Sequence, residues 1–111
     1  GVRKAGEMVR AELAPLGFTV VWEDQSATAR AGHLIATHKG DGRGKRILLI
    51  GHLDTVFEPS SPFQRFRREG RRAIGPGVGD DKGGVVVIVA ALRAMHAAGT
   101  LKGADIAVFL T

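Results

Sequence analysis

The chain has 111 residues, which allows one small domain or one segment of a longer protein. Apolar residues make up 44 % and charged residues 24 %, a globular composition that excludes disordered and collagen-like chains. There is no cysteine, which excludes disulfide bonds and thiolate metal sites, and the formal net charge is +5. The longest apolar run, Val85 to Leu92, is shorter than the roughly 20 residues that a membrane-spanning helix needs. We expect a soluble protein and leave the compartment open between cytoplasm and periplasm.

The apolar pattern predicts helices and strands in an order typical of an α/β domain. Apolar positions three and four apart predict a helix over residues 2–16 that ends near Pro15. A long, alanine-rich apolar stretch predicts a second helix from Val85 to Ala98. Strands are predicted at residues 18–22, 32–37, 47–50 and 106–110, and a hairpin over 63–74 that turns at Glu69-Gly70. This order indicates a layered α/β domain with a mixed sheet.

Two of these segments are predicted to be covered on all sides. The strand Ile47–Ile50 is apolar without alternation, which indicates that both of its faces are buried. The second helix is apolar almost all round, which predicts that it is buried against the sheet. The chain ends inside the last predicted strand, and we therefore expect it to be a segment of a longer protein.

The segment Gly51–Thr55 directly follows the strand Ile47–Ile50, where open α/β sheets place their sites. His52 and Asp54 are two residues apart, so in extended chain they point to the same side. A neutral imidazole is the commonest metal ligand, and a neighbouring carboxylate fixes its tautomer and orientation. The alternative is that the two side chains merely pair with each other.

A glycine-rich loop, Gly75–Gly84, carries the adjacent residues Asp80 and Asp81 just before the second helix. One of these aspartates is a candidate N-cap of that helix. Adjacent carboxylates repel each other unless a cation lies nearby, so a bound metal is the other interpretation. Together, His52, Asp54 and Asp80 supply one imidazole and two carboxylates, a set that suits zinc or a similar divalent ion, with further ligands required from elsewhere.

Both motifs together resemble a known family. Gly51-His52-Leu53-Asp54-Thr55-Val56, followed by Gly75-Pro76-Gly77-Val78-Gly79-Asp80-Asp81-Lys82-Gly83-Gly84, resembles the zinc metallopeptidase family of glutamate carboxypeptidase, acetylornithine deacetylase and succinyl-diaminopimelate desuccinylase. The resemblance implies a layered α/β/α domain of the zinc-exopeptidase type, with a mixed, mostly parallel central sheet. It also implies that residues 1–111 are the N-terminal segment of the catalytic domain, without the rest of that domain or the dimerisation domain.

The resemblance assigns a role to each motif residue. It implies that His52 binds one zinc ion, that Asp80 bridges two zinc ions, and that Asp54, counted with the catalytic residues, orients the imidazole of His52. Cobalt and manganese are alternatives to zinc. The peptide between Asp80 and Asp81 is expected to be cis. The general-base glutamate and the remaining ligands are expected beyond Thr111, so we expect the chain alone to be inactive.

The function implied by the resemblance is two-zinc hydrolysis of an amide bond in a small peptide or N-acyl amino acid. The parent enzyme is expected to be a homodimer with no nucleic acid or membrane partner. The alternative is a non-catalytic basic module whose Arg65–Arg72 hairpin, with Phe63 and Phe66 interleaved, binds polyanions. A third interpretation is a homologue that has lost catalysis.

Overall fold

A computed structural model describes all 111 residues, Gly1–Thr111. In chain order the elements are helix α1 (Val2–Leu13), strands β1 (Thr19–Glu23), β2 (His33–His38) and β3 (Arg46–Gly51), hairpin strands β4 (Arg67–Glu69) and β5 (Arg72–Ile74), helix α2 (Gly84–Ala97) and strand β6 (Asp105–Leu110). The predicted order of elements is confirmed. The hairpin strands are shorter than predicted, with three residues each on either side of the turn.

The four longer strands form one sheet in the order β1-β2-β6-β3. The pairings β1–β2 and β2–β6 are antiparallel, whereas β3 pairs with β6 in parallel. The α/β class and the mixed sheet are thus confirmed. The expectation of a mostly parallel sheet is wrong for these residues, because only one of the three pairings is parallel. Because parallel neighbours need a crossover connection, the chain between β3 and β6 passes through the hairpin and α2 before it returns to the sheet.

Both helices pack on the same face of the sheet and share one core with it. Side chains at every second position of β2 and β6 point to this face and are buried. They form a single cluster with apolar side chains of the helices and their loops: Val9, Leu13, Phe18, Leu34, Ala36, Leu53, Val85, Leu92, Leu101, Ile106, Val108 and Leu110. The opposite face of the sheet carries no helix within these 111 residues.

The predicted burial of Ile47–Ile50 on both faces is wrong. Strand β3 lies at the edge of the sheet, and the side chains of Leu48 and Ile50 are 59 % and 66 % exposed. The unbroken apolar run indicates side chains that suit burial on both faces. Within this chain, however, only the face toward the helices has a partner, so the other side of β3 meets solvent.

Helix α2 is also less buried than its sequence predicts. Val85 and Leu92 reach the core, but Val86 and Val87 are mostly exposed. The helix contacts the sheet with one side and α1 with another, which leaves the remaining apolar side chains uncovered. Neither helix is long and apolar enough to cross a membrane.

The turn from β2 to β3 is held against the loop before β6 by a close backbone approach. The backbone N–H of Gly40 donates to the Asp105 carboxylate at 2.9 Å, and the N–H of Asp41 donates to the carbonyl of Gly103 at 3.3 Å. A Cβ atom on Gly40 would lie 2.2 Å from that carbonyl oxygen. Gly40 therefore allows the two loops to touch, and this contact helps to align β3 beside β6.

We predict that Gly40→Ala destabilises the fold by about 1–3 kcal/mol, because the added methyl group forces the two loops apart. Gly44→Ala is the matched control, since a Cβ atom at this position of the same turn has no neighbour within 4 Å. Urea unfolding of the two variants gives the comparison. Equal free energies of unfolding for both variants would contradict the proposed role of the contact.

Candidate metal centre and active site

The first motif lies at the carboxyl-terminal edge of the sheet, immediately after β3. The parallel pairing of β3 with β6 continues past the strand ends. The N–H of Leu53 donates to the carbonyl of Thr111 at 2.7 Å, and the N–H of Thr111 donates to the carbonyl of Gly51 at 3.1 Å. The side chain of Leu53 is buried in the core. The position of His52 is therefore fixed by its two neighbours, since Gly51 is hydrogen-bonded at the strand end and Leu53 is buried in the core.

The second motif lies at the same edge of the sheet, directly before α2. Residues Val78–Gly83 form an irregular helical turn in which Asp80 and Asp81 have non-helical backbone angles. The peptide bond between Asp80 and Asp81 is cis, as the resemblance implied. Helix α2 has no side-chain N-cap hydrogen bond, so the prediction that an aspartate caps this helix is wrong. Both aspartate side chains instead face the first motif.

The imidazole of His52 lies between two carboxylates. Its Nε2 atom is 2.8 Å from Oδ1 of Asp80, and its Nδ1 atom is 3.0 Å from Oδ1 of Asp54. The side chain of His52 is 34 % exposed, and Asp80 is 87 % exposed. The structure thus brings together the three residues predicted from the sequence, His52, Asp54 and Asp80, at an accessible edge of the sheet.

This arrangement raises the pKa of His52 above its ordinary value of 6.5. The hydrogen bond to the Asp80 carboxylate is the main cause, and the hydrogen bonds to Asp54 add to it, while partial burial opposes the shift. Both ring nitrogens face anionic oxygens, so the doubly protonated imidazolium is favoured in the metal-free chain. The site is therefore built to hold positive charge between its carboxylates.

Asp81 also belongs to the site, although the sequence analysis considered it only as a helix cap or as a neighbour of Asp80 beside a cation. Its Oδ2 atom accepts a hydrogen bond from the backbone N–H of His52 at 3.3 Å, which ties the second motif to the first. A Cβ atom on Gly84 would lie 2.1 Å from Oδ1 of Asp81. Gly84 therefore leaves room for the Asp81 carboxylate, but no local sequence pattern indicates that this carboxylate bonds to the backbone of His52.

The donor atoms at this site fit a metal ion of the zinc type in part. An imidazole nitrogen and a carboxylate oxygen, both from the set that zinc accepts, converge at Nε2 of His52 and Oδ1 of Asp80. Asp54 holds the other ring nitrogen, as a carboxylate does beside many metal-bound histidines. The 111 residues contain no group of three or more histidine, cysteine or acidic side chains arranged to hold a metal.

The predicted arginine hairpin forms, but its turn is Gly70-Arg71, one residue later than the predicted Glu69-Gly70, because Glu69 pairs with Arg72. Its arginines are exposed, and only Arg67 has a carboxylate partner, Glu69, at 2.7 Å. Phe63 lies before β4, and its ring packs against Phe57 and not on the hairpin. The polyanion-binding alternative stays a prediction.

Comparison with known proteins identifies the family. Residues 48–111, which include both motifs, match the family model of Peptidase family M20/M25/M40. The chain belongs to this peptidase family. The matched region begins within β3 and contains the hairpin, the aspartate turn, α2 and β6. The match therefore covers every residue of the site described above.

Curated relatives of the M20/M25/M40 family agree with this assignment. The chain is 40 % identical over 94 residues to carboxypeptidase G2 from Pseudomonas sp. (strain RS-16), covering 84 % of this chain and 22 % of that protein. It is 31 % identical over 112 residues to succinyl-diaminopimelate desuccinylase from Leptothrix cholodnii, covering 94 % of this chain and 29 % of that protein. The chain thus spans about a quarter of the length of these relatives.

Solved structures of peptidases share the fold. The aminopeptidase PepT from Bacillus cereus aligns with a TM-score of 0.70 at 23 % identity, covering 95 % of this chain and 29 % of its own. Human carnosine dipeptidase 1 aligns with a TM-score of 0.69 at 19 % identity, covering 90 % of this chain and 24 % of its own. The arrangement of helices and mixed sheet is therefore shared with these two peptidases.

We predict that His52 in the metal-free chain titrates above 6.5, as measured by NMR-monitored titration of its imidazole. Asp80→Asn lowers this pKa, because the amide no longer carries the charge that stabilises the imidazolium. Asp24→Asn is the control, since the Asp24 carboxylate contacts Ser26 and Arg3 instead.

The sign of the effect on stability follows from the raised pKa. A folded-state pKa above the unfolded value means that the interaction stabilises the fold fully at pH below about 6.5 and is lost as pH rises through the folded pKa. The same titration contradicts this account if His52 titrates at or below 6.5 and does not respond to Asp80→Asn.

Proposed function

We propose that this chain carries part of the active site of a two-zinc hydrolase that cleaves an amide bond in a small peptide or N-acyl amino acid. The observation that supports this most directly is the 2.8 Å approach of His52 Nε2 to the Asp80 carboxylate, with Asp54 on the other ring nitrogen. The family is one of peptidases, and the relatives named above are a carboxypeptidase and a desuccinylase. Each of these enzymes cleaves a C–N bond of the amide type.

In this proposal His52 and Asp80 would hold the metal, and Asp80 would be the ligand shared by two ions. Zinc is the proposed ion, with cobalt or manganese as alternatives. When bound, the metal polarises the amide carbonyl and lowers the pKa of a water molecule. Binding removes the proton from Nε2 of His52, because a metal ligand must present a lone pair. Asp54 accepts the Nδ1–H hydrogen bond and so keeps Nε2 directed at Asp80.

Asp81 acts as a positioning residue in this account. Its carboxylate accepts the backbone N–H of His52, and its own backbone follows directly on Asp80. This hydrogen bond at 3.3 Å between the aspartate turn and the strand end helps to set the distance between the side chains of His52 and Asp80. The general base that takes the proton from water is proposed to be a glutamate outside these 111 residues, and the chain alone is expected to be inactive.

We further propose that residues 1–111 form the N-terminal segment of a catalytic domain. The uncovered face of the sheet supports this, because it carries an apolar row across all four strands, formed by Val21, Ile35, Phe109 and Ile50. Val21 and Ile50 at its two ends are more than half exposed. An apolar surface of this kind indicates a contact with further protein. The homodimeric state of the parent enzyme stays a prediction.

The test uses the full-length protein loaded with zinc and a panel of N-acyl amino acids and dipeptides. We expect hydrolysis that a chelator abolishes and added zinc restores. His52→Ala and Asp80→Asn should reduce hydrolysis to background, because each removes a metal-binding atom. Asp54→Asn should reduce it by roughly 10–100-fold, the cost of losing a residue that orients a ligand.

Asp24→Asn serves as the control for a general loss of surface charge, and it should leave the rate unchanged. Hydrolysis that survives both His52→Ala and Asp80→Asn would contradict the proposal. Hydrolysis that is insensitive to chelation would contradict it as well. Thermal melting of each variant separates a lost active site from a lost fold.

A further inference from the structure

We propose that Lys82 is a positioning residue that clamps the aspartate turn, Val78–Gly83, in the shape that carries Asp80 to His52. This inference rests on the proposed function and adds a residue on which metal binding at that site depends. Lys82 is the last charged residue before α2, and it is exposed. Its ammonium donates a hydrogen bond to the backbone carbonyl of Pro76 and not to either aspartate of the turn.

Two hydrogen bonds from Lys82 close the turn. Its ammonium bonds to the carbonyl of Pro76, and its backbone N–H donates to the carbonyl of Gly77 at 2.9 Å. Both acceptors lie in the chain just before the turn, and Asp80 and Asp81 lie between these acceptors and Lys82. The two aspartates are therefore carried on a segment whose ends are joined, which limits the positions that their carboxylates can take before a ligand binds.

The clamped end of the turn also packs against the first motif. Gly77 is buried and has a φ of 68°, a left-handed conformation that glycine adopts without strain. A Cβ atom at this position would lie 2.7 Å from Cγ2 of Thr55 and 3.2 Å from Nζ of Lys82. Thr55 and the Lys82 ammonium therefore both pack against Gly77. The clamp thus lies where the motif of His52 meets the motif of Asp80.

A purely electrostatic role of Lys82 is the alternative, and it predicts an effect of the opposite sign. A lysine two residues from Asp80 repels a bound divalent cation, so removing its charge should tighten metal binding. The N-terminus of α2 adds partial positive charge of its own, which makes this place unfavourable for a cation. A clamp predicts the reverse, because a loosened turn holds Asp80 less firmly and so weakens metal binding.

The experiment measures the zinc affinity of the full-length protein by competition with a chromogenic chelator. Lys82→Met keeps most of the side-chain length and removes the donor, and we expect it to weaken zinc binding about tenfold, as loss of a residue that orients a metal ligand does. Lys82→Arg keeps a charged donor and should restore most of the affinity. Lys102→Met is the matched control and should bind zinc as the wild type does, because Lys102 is exposed in the loop before β6, at the opposite end of the sheet from the site.

Hydrogen exchange of the metal-free protein provides a readout that depends on neither metal nor turnover. Lys82→Met should accelerate amide exchange within Val78–Gly83, because the turn opens more often without its clamp, while the amides of α1 keep their wild-type rates. Lys82→Gln covers the case in which Lys82→Met does not fold. Its amide group ends one bond short of the lysine ammonium, so it should also weaken zinc binding and accelerate exchange in the turn.

A zinc affinity of Lys82→Met that equals or exceeds that of the wild type would overturn the inference and leave the proposed function standing. An equal loss of affinity in Lys102→Met would overturn the inference as well. If the wild type binds no zinc, the proposed function fails, and the exchange rates then decide the role of Lys82. Faster exchange within Val78–Gly83 in Lys82→Met supports the clamp, and unchanged exchange overturns it.

Discussion

The parallel pairing of β3 with β6 is the constraint on which the site depends. A parallel pair forces the connecting chain to cross from the carboxyl end of one strand to the amino end of the next. The segment that leaves β3 and the turn that enters α2 therefore meet at one edge of the sheet. His52 lies on the first of these and Asp80 on the second, so the topology alone brings an imidazole and a carboxylate together.

Topology places the two motifs near each other, and local contacts fix the distance between them. The Asp81 carboxylate bonds to the His52 backbone, and the close approach at Gly84 gives that carboxylate room. On the other side, the Leu53 to Thr111 hydrogen bond extends the strand pairing past the sheet. Gly51 and Leu53, which flank His52, are thus both hydrogen-bonded to the backbone of Thr111, and the ring nitrogens of His52 remain available to bind a ligand.

The sequence predicts the elements of this fold well because their signals are local. Helix α1 shows its apolar periodicity, Pro15 follows directly after its end, and the strands show their β-branched runs. The meeting of His52 with Asp80 was also predictable, since strand ends in α/β sheets hold sites. Two features were not predictable from local pattern. Exposure of Leu48 and Ile50 depends on which partners lie across the sheet, and the contact of Asp81 depends on backbone geometry within an irregular turn.

The packing of Phe63 against Phe57 is a further contact that the local sequence pattern did not predict. Phe63 and Phe66 stand three residues apart among arginines, and the sequence suggested one interleaved surface for both. The ring of Phe63 instead packs against Phe57, while Phe66 remains exposed. The loop of residues 58–64 is held by hydrogen bonds from the Gln64 side-chain amide and the Ser61 N–H to the carbonyl of Glu58, and these bonds have no periodic signature in the sequence.

A crystal structure of the full-length protein grown with zinc, with anomalous diffraction recorded at the zinc edge, shows whether His52 and Asp80 hold the ion. We expect an anomalous peak about 2.0–2.1 Å from Nε2 of His52 and about 2.0–2.2 Å from a carboxylate oxygen of Asp80. Asp54 should still accept the hydrogen bond from Nδ1. Zinc peaks ligated by other residues, with His52 and Asp80 still bonded only to each other, would contradict this expectation.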